Sequence, residues 1–413
     1  MPRSLSVLSV LIAFTLVMGC RVGDSDPDVP NAEVEPAGPP VTATTLGDDR
    51  LPSDAEVEAA RFRGRGRSET GTDTTGTAAA ARSNPETLAS VDSTRDWATD
   101  MHLPLGGNVA GPSVLKLQVL LDRAGFSPGV IDGRWGDNTE LAVSWLQKTE
   151  DLEVTGIVNE ATLQALAARA GDPDALVVPH RLTEAEVSGP FVEIPEDVYE
   201  RAEMDRLGFE SLGEKLGERF HATPALLTRL NDGVALDSLA AGDTLRVPNV
   251  TDAPGIEGQI SRLVISGEAG YLHALASNGD ILFHAPVTVG ASYDPSPEGS
   301  FEVESVTRDP WWHYQPSILA SVPDDQPEAR LPPGPNNAVG SVWIALSKEH
   351  YGIHGTSAPE TIGYASSAGC VRLTNWDALR LADLVGAGTA VRFRDVAARG
   401  DSTSTAQRPT SRS

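Results

Sequence analysis

The pattern of apolar residues changes twice along this 413-residue chain, and each change limits what the segment can fold into. Residues 21–99 are rich in Asp, Glu, Pro, Gly, Thr and Ser without a sustained apolar period, so they cannot bury enough surface to offset chain entropy. From residue 106 apolar residues recur at helical spacing, and from residue 258 they form short runs typical of strands. We therefore predict a multidomain α+β chain with a disordered linker before its folded part and a disordered tail at residues 397–413.

Charge and cysteine content exclude several classes of function. The chain has 58 acidic and 32 basic side chains, and its formal net charge is -26. Phosphate binding needs a cationic surface, so this balance argues against a nucleic-acid partner and against electrostatic docking on anionic lipid. Only Cys20 and Cys370 are present, which excludes a disulfide framework and a cysteine-built zinc site. We predict no metal and no other cofactor.

An apolar run near the start of the chain predicts export. After Arg3, residues 5–18 are almost continuously apolar, which is typical of a signal-peptide core and short for a membrane span. The run ends in Val17-Met18-Gly19-Cys20, which resembles a bacterial lipobox. The resemblance implies that residues 1–20 are a lipoprotein signal, that Cys20 carries the lipid, and that the protein lies at the periplasmic or extracytoplasmic face of the cell envelope. An ordinary secretory signal with an incidental cysteine is the alternative.

Residues 106–170 carry three helical patterns separated by turns rich in glycine. The first pattern covers residues 114–124, and a loop at residues 128–136 precedes a second helix that Asn138 or Thr139 can cap. A second glycine turn leads into a third helix. This order resembles the three-helix type of peptidoglycan-binding domain, and it implies a contact with the cell wall. A generic helical spacer is the alternative.

Residues 172–252 give a weaker pattern. Leu212, Leu216 and Phe220 share a helical face, residues 226–230 add a second leucine-rich helix, and Gly242-Asp243-Thr244-Leu245 opens a strand. The segment resembles a LysM module, a two-helix and two-strand unit whose family binds N-acetylglucosamine polymers. The usual opening strand is not evident in the sequence. A LysM-like connector that serves only for packing is therefore the alternative.

The lone thiol of Cys370 carries the clearest chemical signal. His350 and His354 lie within 20 positions of it, and Arg372 follows it by two residues. A thiol becomes a nucleophile when a base or a cation lowers its pKa, and imidazole is the usual partner. On these residues alone, a buried and inert cysteine is the alternative.

The chain around this thiol offers two further sources of stabilisation. Thr374 and Asp377 have the spacing of a capping box, which predicts a helix N-terminus just after the thiol. The partial positive charge of that terminus would favour the thiolate. Gly369 lets the backbone come close, so consecutive amides there could hold an oxyanion.

His354-Gly355-Thr356 followed by Ser367-Ala368-Gly369-Cys370-Val371-Arg372 resembles the signature of the L,D-transpeptidase (YkuD-type) catalytic domain. Supporting blocks stand at residues 297–301, 331–337 and 343–347. The resemblance covers about residues 260–394 and implies, for a catalytic domain at residues 258–396, a β-rich sandwich or barrel with one late helix.

The same resemblance implies a role for each residue of the signature. Cys370 would attack the carbonyl between the diamino acid and the terminal D-alanine of a peptidoglycan stem peptide, releasing D-alanine and leaving a thioester. His354 would be the general base, and the backbone carbonyl of Gly355 would orient its imidazole. Arg372 would steady the thiolate or a substrate carboxylate.

Further residues are expected near the substrate. These are Ser367, Gly369, His350, Tyr351 and Asn336. His350 is also the rival base, because a residue four positions before His354 in a strand would face the same side.

The predicted function is that of a peptidoglycan L,D-transpeptidase whose partners are the stem peptides and the glycan. The acyl acceptor stays open among the amine of a second stem, a lysine of a wall-bound protein, and water. One alternative is an L,D-carboxypeptidase or murein hydrolase that uses the same thiol. The other is a non-catalytic wall-binding lipoprotein.

Overall fold

The computed structural model describes residues 101–171, 175–251, 253–291, 294–319, 322 and 325–396. The predicted signal segment, Cys20, the linker and the tail all lie outside the described residues. Among the helices that are described, none has the length and apolar content needed to cross a membrane.

Three helices in the described part form the segment that resembles a peptidoglycan-binding domain. They are α1 (Pro112–Arg123), α2 (Asp137–Thr149) and α3 (Glu160–Ala170). The Asn159 side chain caps α3 by accepting from the Thr162 amide at 2.9 Å. The predicted cap of α2 by Asn138 or Thr139 is wrong. The helix follows Gly136 with no side-chain cap, and the Asn138 amide donates to the Ile362 carbonyl at 2.9 Å instead.

The glycine turns between these helices are held by buried glutamines. Gln118 Oε1 accepts from the Gly133 amide at 2.8 Å, and Gln147 Oε1 accepts from the Gly156 amide at 3.0 Å. Both glycines have positive φ, at 73° and 65°, a conformation in which a side chain would be strained. Each glutamine therefore satisfies backbone donors that a tight turn leaves without a partner.

The segment between the helical domain and the large sheet contains two strands and several helices. They are β1 (Val177–Arg181), α4 (Glu184–Val187), α5 (Val198–Ala202), α6 (Leu212–Arg219), α7 (Pro224–Leu230) and β2 (Thr244–Pro248). β1 pairs antiparallel with β2. The sequence does not reveal β1, because Pro179 and two charged or polar neighbours interrupt its short apolar pattern.

Eight strands of the described chain form one mixed sheet. In chain order they are β3 (Arg262–Ser266), β4 (Tyr271–Leu275), β5 (Ile281–Pro286), β6 (Gly299–Arg308), β9 (Val342–Leu346), β10 (Gly352–His354), β11 (Val371–Arg372) and β12 (Ala390–Arg394). β7 (Trp312–Tyr314) and β8 (Ala329–Leu331) pair separately. The spatial order is β11-β10-β9-β6-β12-β3-β4-β5, with β10–β11 and β12–β3 parallel. The predicted late helix is α8 (Asn375–Leu384).

This sheet curls until its two end strands approach each other. The chain that leaves β5 forms bridges from Thr288 to Arg372 and from Gly290 to Ser367, beside β11. The expected sandwich or barrel is confirmed in its coarser form, because β6 pairs with β12 in its first half and with β9 in its second, so that the strands form one curled sheet around a single core. The line along which the chain after β5 meets β11, bridged from Thr288 to Arg372 and from Gly290 to Ser367, is the seam of the curled sheet. The loop that carries Cys370 lies at this seam.

The helical domain packs directly on the outer edge of the sheet. The His284 amide in β5 donates to the Gly125 carbonyl at 2.8 Å, and the Ser127 amide donates to the His284 carbonyl at 2.9 Å. Trp145 of α2 lies edge-on against Tyr271 and His273 of β4, with ring centroids 4.7 and 4.2 Å apart. The described parts of the two domains therefore share one hydrophobic cluster.

Asp122 of α1 joins the helical domain to both other segments. Its fully buried carboxylate lies 2.8 Å from His221 Nδ1 and accepts from Arg380 Nη2 of α8 at 3.1 Å. The His221 ring also stacks on Trp376 of α8, at 5.1 Å between centroids. Burial by itself would raise the pKa of Asp122, but His221 and Arg380 outweigh burial and hold this pKa below its usual range.

We predict that Asp122→Asn lowers the free energy of unfolding by about 1.5–3 kcal/mol at pH 7, because it removes the charge-assisted hydrogen bonds of a buried carboxylate to His221 and to the partly buried Arg380. A carboxylate with a lowered pKa stabilises the fold above the unfolded-state pKa near 3.8 and loses this contribution as the pH falls through the folded value. The difference between wild type and variant should therefore shrink below pH 3.8. Urea unfolding at several pH values measures it.

Asp309→Asn is the matched control for this measurement. It breaks a 2.8 Å pair with Arg206 in which both side chains are about half exposed, so it should cost less than about 1 kcal/mol. An equal loss in the two variants would contradict the structural role of Asp122.

Candidate active site

The pairing of β10 with β11 places three predicted site residues on one face of the sheet. The strands are parallel, with Ile353 opposite Val371 and His354 opposite Arg372. Ile353 and Val371 are both buried in the core of the curled sheet. Side chains alternate between the faces of a strand, so His354, Arg372 and the preceding Cys370 lie on the opposite face.

The imidazole of His354 is buried and held in one orientation. Its Nδ1 lies 2.7 Å from the Gly355 carbonyl oxygen, so Nδ1 donates the hydrogen bond and Nε2 is left as an acceptor. Trp343 of β9 stacks on the ring at 5.5 Å, nearly parallel. Burial lowers the pKa of His354 to about 3, and the nearby Arg372 acts in the same direction. The imidazole is therefore neutral at physiological pH, and its Nε2 carries a free lone pair.

The first turn of α8 supports the backbone that holds this imidazole. Asn375 Oδ1 accepts from the Ser341 amide at 2.9 Å and lies 2.0 Å from where a Cβ on Gly355 would stand. Gly355 is therefore required to be glycine by the close approach of Asn375. The predicted helix N-terminus after the thiol is confirmed, with Thr374 as the N-cap that accepts from the Asp377 amide at 3.2 Å.

The thiol loop, residues 366–370, is held by contacts on both sides. Gly369 has φ 86°, and a Cβ there would stand 3.0 Å from a ring carbon of Tyr351. Ser296 Oγ donates to the Gly369 carbonyl at 2.7 Å, and the buried Ser367 Oγ donates to the Cys370 carbonyl. Ser367 and Gly369 therefore shape the loop.

The Cys370 thiol is protonated in the resting protein. Its Sγ lies 3.7 Å from the His350 carbonyl oxygen, to which it donates. Burial raises the pKa of this thiol to about 11, although a backbone hydrogen bond from Gly352 and the charge of Arg372 favour the thiolate. Asp294 raises the pKa further. The resting pair is thus a neutral thiol and a neutral imidazole.

Two predicted substrate residues have surroundings that the sequence did not indicate. His350 lies in a turn with φ 68°, before β10 begins, so the expectation that it extends the strand and shares a face with His354 is wrong. Its ring is 44% exposed and lies 3.6 Å from Glu349. The buried Asn336 amide donates to the Gly208 carbonyl at 2.9 Å and to Glu214 Oε1 at 2.7 Å, which ties it to the segment that contains α6.

Sequence reasoning assigned no role in the site to three residues that lie beside the signature residues. Trp343 stacks on the His354 ring, Asn375 lies against the Gly355 backbone, and Asp294 lies against the loop that carries the thiol. Asp294 begins an Asp-Pro-Ser-Pro run that reads only as a turn, so its proximity to Cys370 follows from the tertiary structure. The described part of the chain contains no group of three or more His, Cys, Asp or Glu side chains that could hold a metal ion.

Comparison with known proteins agrees with this geometry. The family model of the YkuD L,D-transpeptidase catalytic domain matches residues 261–393, and that of a peptidoglycan binding domain matches residues 110–166. The protein named L,D-transpeptidase YkuD in Bacillus licheniformis is 29% identical over 178 residues, which is 43% of this chain and 90% of that protein. The protein of the same name in Bacillus subtilis is 31% identical over 172 residues, 42% of this chain and 87% of the relative.

Among solved structures, the L,D-transpeptidase (residues 123-326) of Xylanimonas cellulosilytica matches at 16% identity and a TM-score of 0.32, covering 72% of this chain and 100% of that one. The two Bacillus relatives are covered over nearly their whole length, and the matched segment contains the curled sheet with Cys370 and His354. The chain therefore belongs to the L,D-transpeptidase family, with a peptidoglycan-binding domain ahead of its catalytic domain.

Proposed function

We propose that this protein is a peptidoglycan L,D-transpeptidase in which Cys370 is the nucleophile and His354 is its base. The observation that carries the assignment is the common face of β10 and β11, which presents both side chains and Arg372 away from the core. The hydrogen bond from His354 Nδ1 to the Gly355 carbonyl supports it, because it leaves Nε2 ready to accept a proton.

The first half of the reaction forms a thioester. As Sγ of Cys370 attacks the carbonyl carbon between the diamino acid and D-alanine, its proton passes to Nε2 of His354. The Gly355 carbonyl stabilises the imidazolium through Nδ1. When the C–N bond breaks, the imidazolium gives its proton to the departing amine of D-alanine, and the stem remains bound to sulfur.

A neutral resting pair suits this sequence of steps. Burial disfavours the charged forms of both groups, so the thiol holds its proton until a substrate carbonyl is present. Charge then develops next to Arg372, which favours the thiolate. The second half of the reaction transfers the acyl group from sulfur to an amine, and His354 takes the proton of the attacking nitrogen.

The wall-binding segments would hold the enzyme on its substrate. We infer that the helical domain, which packs on the edge of the eight-stranded sheet, contacts peptidoglycan beside the site of Cys370. The antiparallel pair of β1 and β2 with α6 and α7 has the two-strand, two-helix composition of a LysM module, which supports glycan binding by the connector as well. Such contacts raise the effective concentration of stem peptides near the thiol.

We predict that Cys370→Ala abolishes release of D-alanine from a disaccharide-tetrapeptide, and that His354→Ala lowers it by about 10²–10⁴-fold, the usual contribution of a general base. His350→Ala should lower it less than about tenfold, because only the backbone carbonyl of His350 contacts the thiol. Mass spectrometry of the products measures both release and transfer.

The products of the same reaction separate the alternatives. Tripeptide without dimer would indicate a carboxypeptidase. An unchanged product pattern in Cys370→Ala would leave a wall-binding protein without this activity. A greater loss in His350→Ala than in His354→Ala would transfer the role of base to His350.

We predict that alkylation of Cys370 by iodoacetamide accelerates about tenfold per pH unit from pH 7 to 10, because the thiolate fraction keeps rising toward a pKa of about 11. Arg372→Gln should slow the reaction at each pH, since it removes a cation that favours the thiolate. Peptide mapping resolves Cys370 from Cys20. Arg330→Gln, which removes a cation that lies over the Trp311 ring, is the control. A rate plateau near pH 8.5 would contradict the raised pKa.

We propose that the protein is attached to the membrane through lipid on Cys20, in keeping with the lipobox-like Val17-Met18-Gly19-Cys20. We predict that metabolic labelling with a fatty acid marks the wild-type protein and is lost in Cys20→Ala, while activity on disaccharide-tetrapeptide is retained. Equal labelling of the two forms, or no labelling of wild type, would contradict a lipid anchor at this residue.

A further inference from the structure

The carboxylate of Asp294 lies against the loop that carries Cys370, where its negative charge disfavours the thiolate of the enzyme without substrate. Asp294 Oδ1 lies 3.4 Å from where a Cβ on Gly369 would stand, so this oxygen faces the residue that precedes Cys370. A negative charge at this place disfavours the thiolate and adds to the effect of burial on the thiol. We therefore expect Asp294 to act when substrate is bound.

The backbone of Asp294 is held by hydrogen bonds that also shape the thiol loop. Its amide donates to the Ala291 carbonyl at 3.1 Å, and the Ala291 amide donates to the Ser367 carbonyl at 2.9 Å. Two residues later, Ser296 Oγ accepts from the Gly290 amide at 2.9 Å and donates to the Gly369 carbonyl. The carboxylate is thus built into the seam of the curled sheet.

One oxygen of the Asp294 carboxylate has no donor within the part of the chain that the structure describes. Its Oδ2 is buried and has no hydrogen-bond partner among the described residues, although the residue as a whole is partly exposed. A buried carboxylate oxygen without a donor is costly, and the cost is relieved when a cation binds. The same cation would cancel the unfavourable field at Cys370.

We propose that Asp294 binds the ammonium group of the acyl acceptor, the side-chain amine of the diamino acid in a second stem peptide. This inference rests on the proposed function, because it concerns the second half of that reaction. Asp294 would thereby favour an amine over water and over uncharged nucleophiles. It lies outside the family signature at residues 354–372.

The short distance between the attacking nitrogen and the thioester carbon favours the acceptor stem over the donor stem as the ligand of Asp294. The attacking nitrogen must come within about 3–3.5 Å of the thioester carbon, which is bonded to Sγ of Cys370. The side-chain ammonium of the donor is separated from that same carbon by its own aliphatic chain. A carboxylate beside Gly369 is therefore better placed for the acceptor.

The proton balance of the transfer step is complete with groups already described. The ammonium is bound at Asp294 and loses one proton to water as it becomes a free amine. Its nitrogen then forms the C–N bond while the C–S bond breaks, and the second proton passes through Nε2 of His354 to the departing sulfur. The thiol of Cys370 is regenerated.

The test separates the two halves of the reaction in the full chain. Disaccharide-tetrapeptide serves as donor and acceptor, and mass spectrometry measures D-alanine release and the ratio of crosslinked dimer to tripeptide. In Asp294→Asn the ratio should fall about tenfold, which corresponds to about 1.4 kcal/mol for a lost ion pair. D-alanine release should not fall, because removal of this negative charge favours the thiolate of Cys370. Asp294→Glu should restore part of the ratio.

Glu349→Gln is the matched control, because it removes another carboxylate near the thiol loop whose side chain is 88% exposed. It should leave both readouts at the wild-type level. An unchanged ratio in Asp294→Asn would overturn the proposal. A joint fall of release and ratio would do so too, since it would indicate a role in donor binding or in loop structure.

A salt series keeps the proposal testable if Asp294→Asn does not fold. In wild type, raising the ionic strength from about 0.05 to about 0.5 M should lower the ratio and leave D-alanine release unchanged, because screening weakens the capture of a charged acceptor. A ratio independent of salt would overturn the proposal. Absence of D-alanine release in wild type would instead refute the proposed function itself.

Discussion

Closure of the curled sheet is the constraint on which the site depends. The chain after β5 reaches back to β11 through the bridges of Thr288 and Gly290, and these bridges fix the loop that carries Cys370. The same seam places Ser296 and Asp294 against Gly369. The positions of Cys370, of the side chains that support its loop and of the Asp294 carboxylate are therefore consequences of one pairing between distant parts of the chain. The parallel register of β10 and β11 then brings His354 to the same face.

The second organising feature is the junction of the three described segments. Asp122 contacts His221 and Arg380, and Ser127 Oγ donates to the Asp377 carboxylate at 2.8 Å. Burial, followed by the field of Asp122, raises the pKa of Asp377 to about 6. Because Asp377 lies in the first turn of α8, the helical domain reaches the same helix whose Asn375 supports Gly355. The peptidoglycan-binding type of domain is thus joined to the backbone around His354 through packed and hydrogen-bonded contacts.

Local sequence patterns were sufficient to predict the elements that are stabilised by contacts between residues close together in the chain. Helical spacing predicted α1, α3 and α8, and the Thr374 cap follows from a spacing of three residues. They were insufficient where a tertiary contact outweighs the local preference. Asn138 has the chemistry of a helix cap, but its amide donates to Ile362 on the catalytic domain. His350 has the spacing of a strand neighbour of His354, but a left-handed turn separates it from β10. β1 forms despite its proline because β2 supplies a partner.

Residue types at short spacings were enough to predict the family and a peptidoglycan-binding domain ahead of the catalytic domain, which the comparisons bear out, and to propose Cys370 and His354 as the reacting pair. The tertiary structure alone decided which groups surround the thiol. Asp294 lies 76 positions before Cys370 in the chain, and Asp122 lies still further from Arg380. No local spacing encodes such contacts, because they arise only when the sheet has curled and the helical domain has packed on its edge. The charge environment of the site is therefore a property of the closed fold.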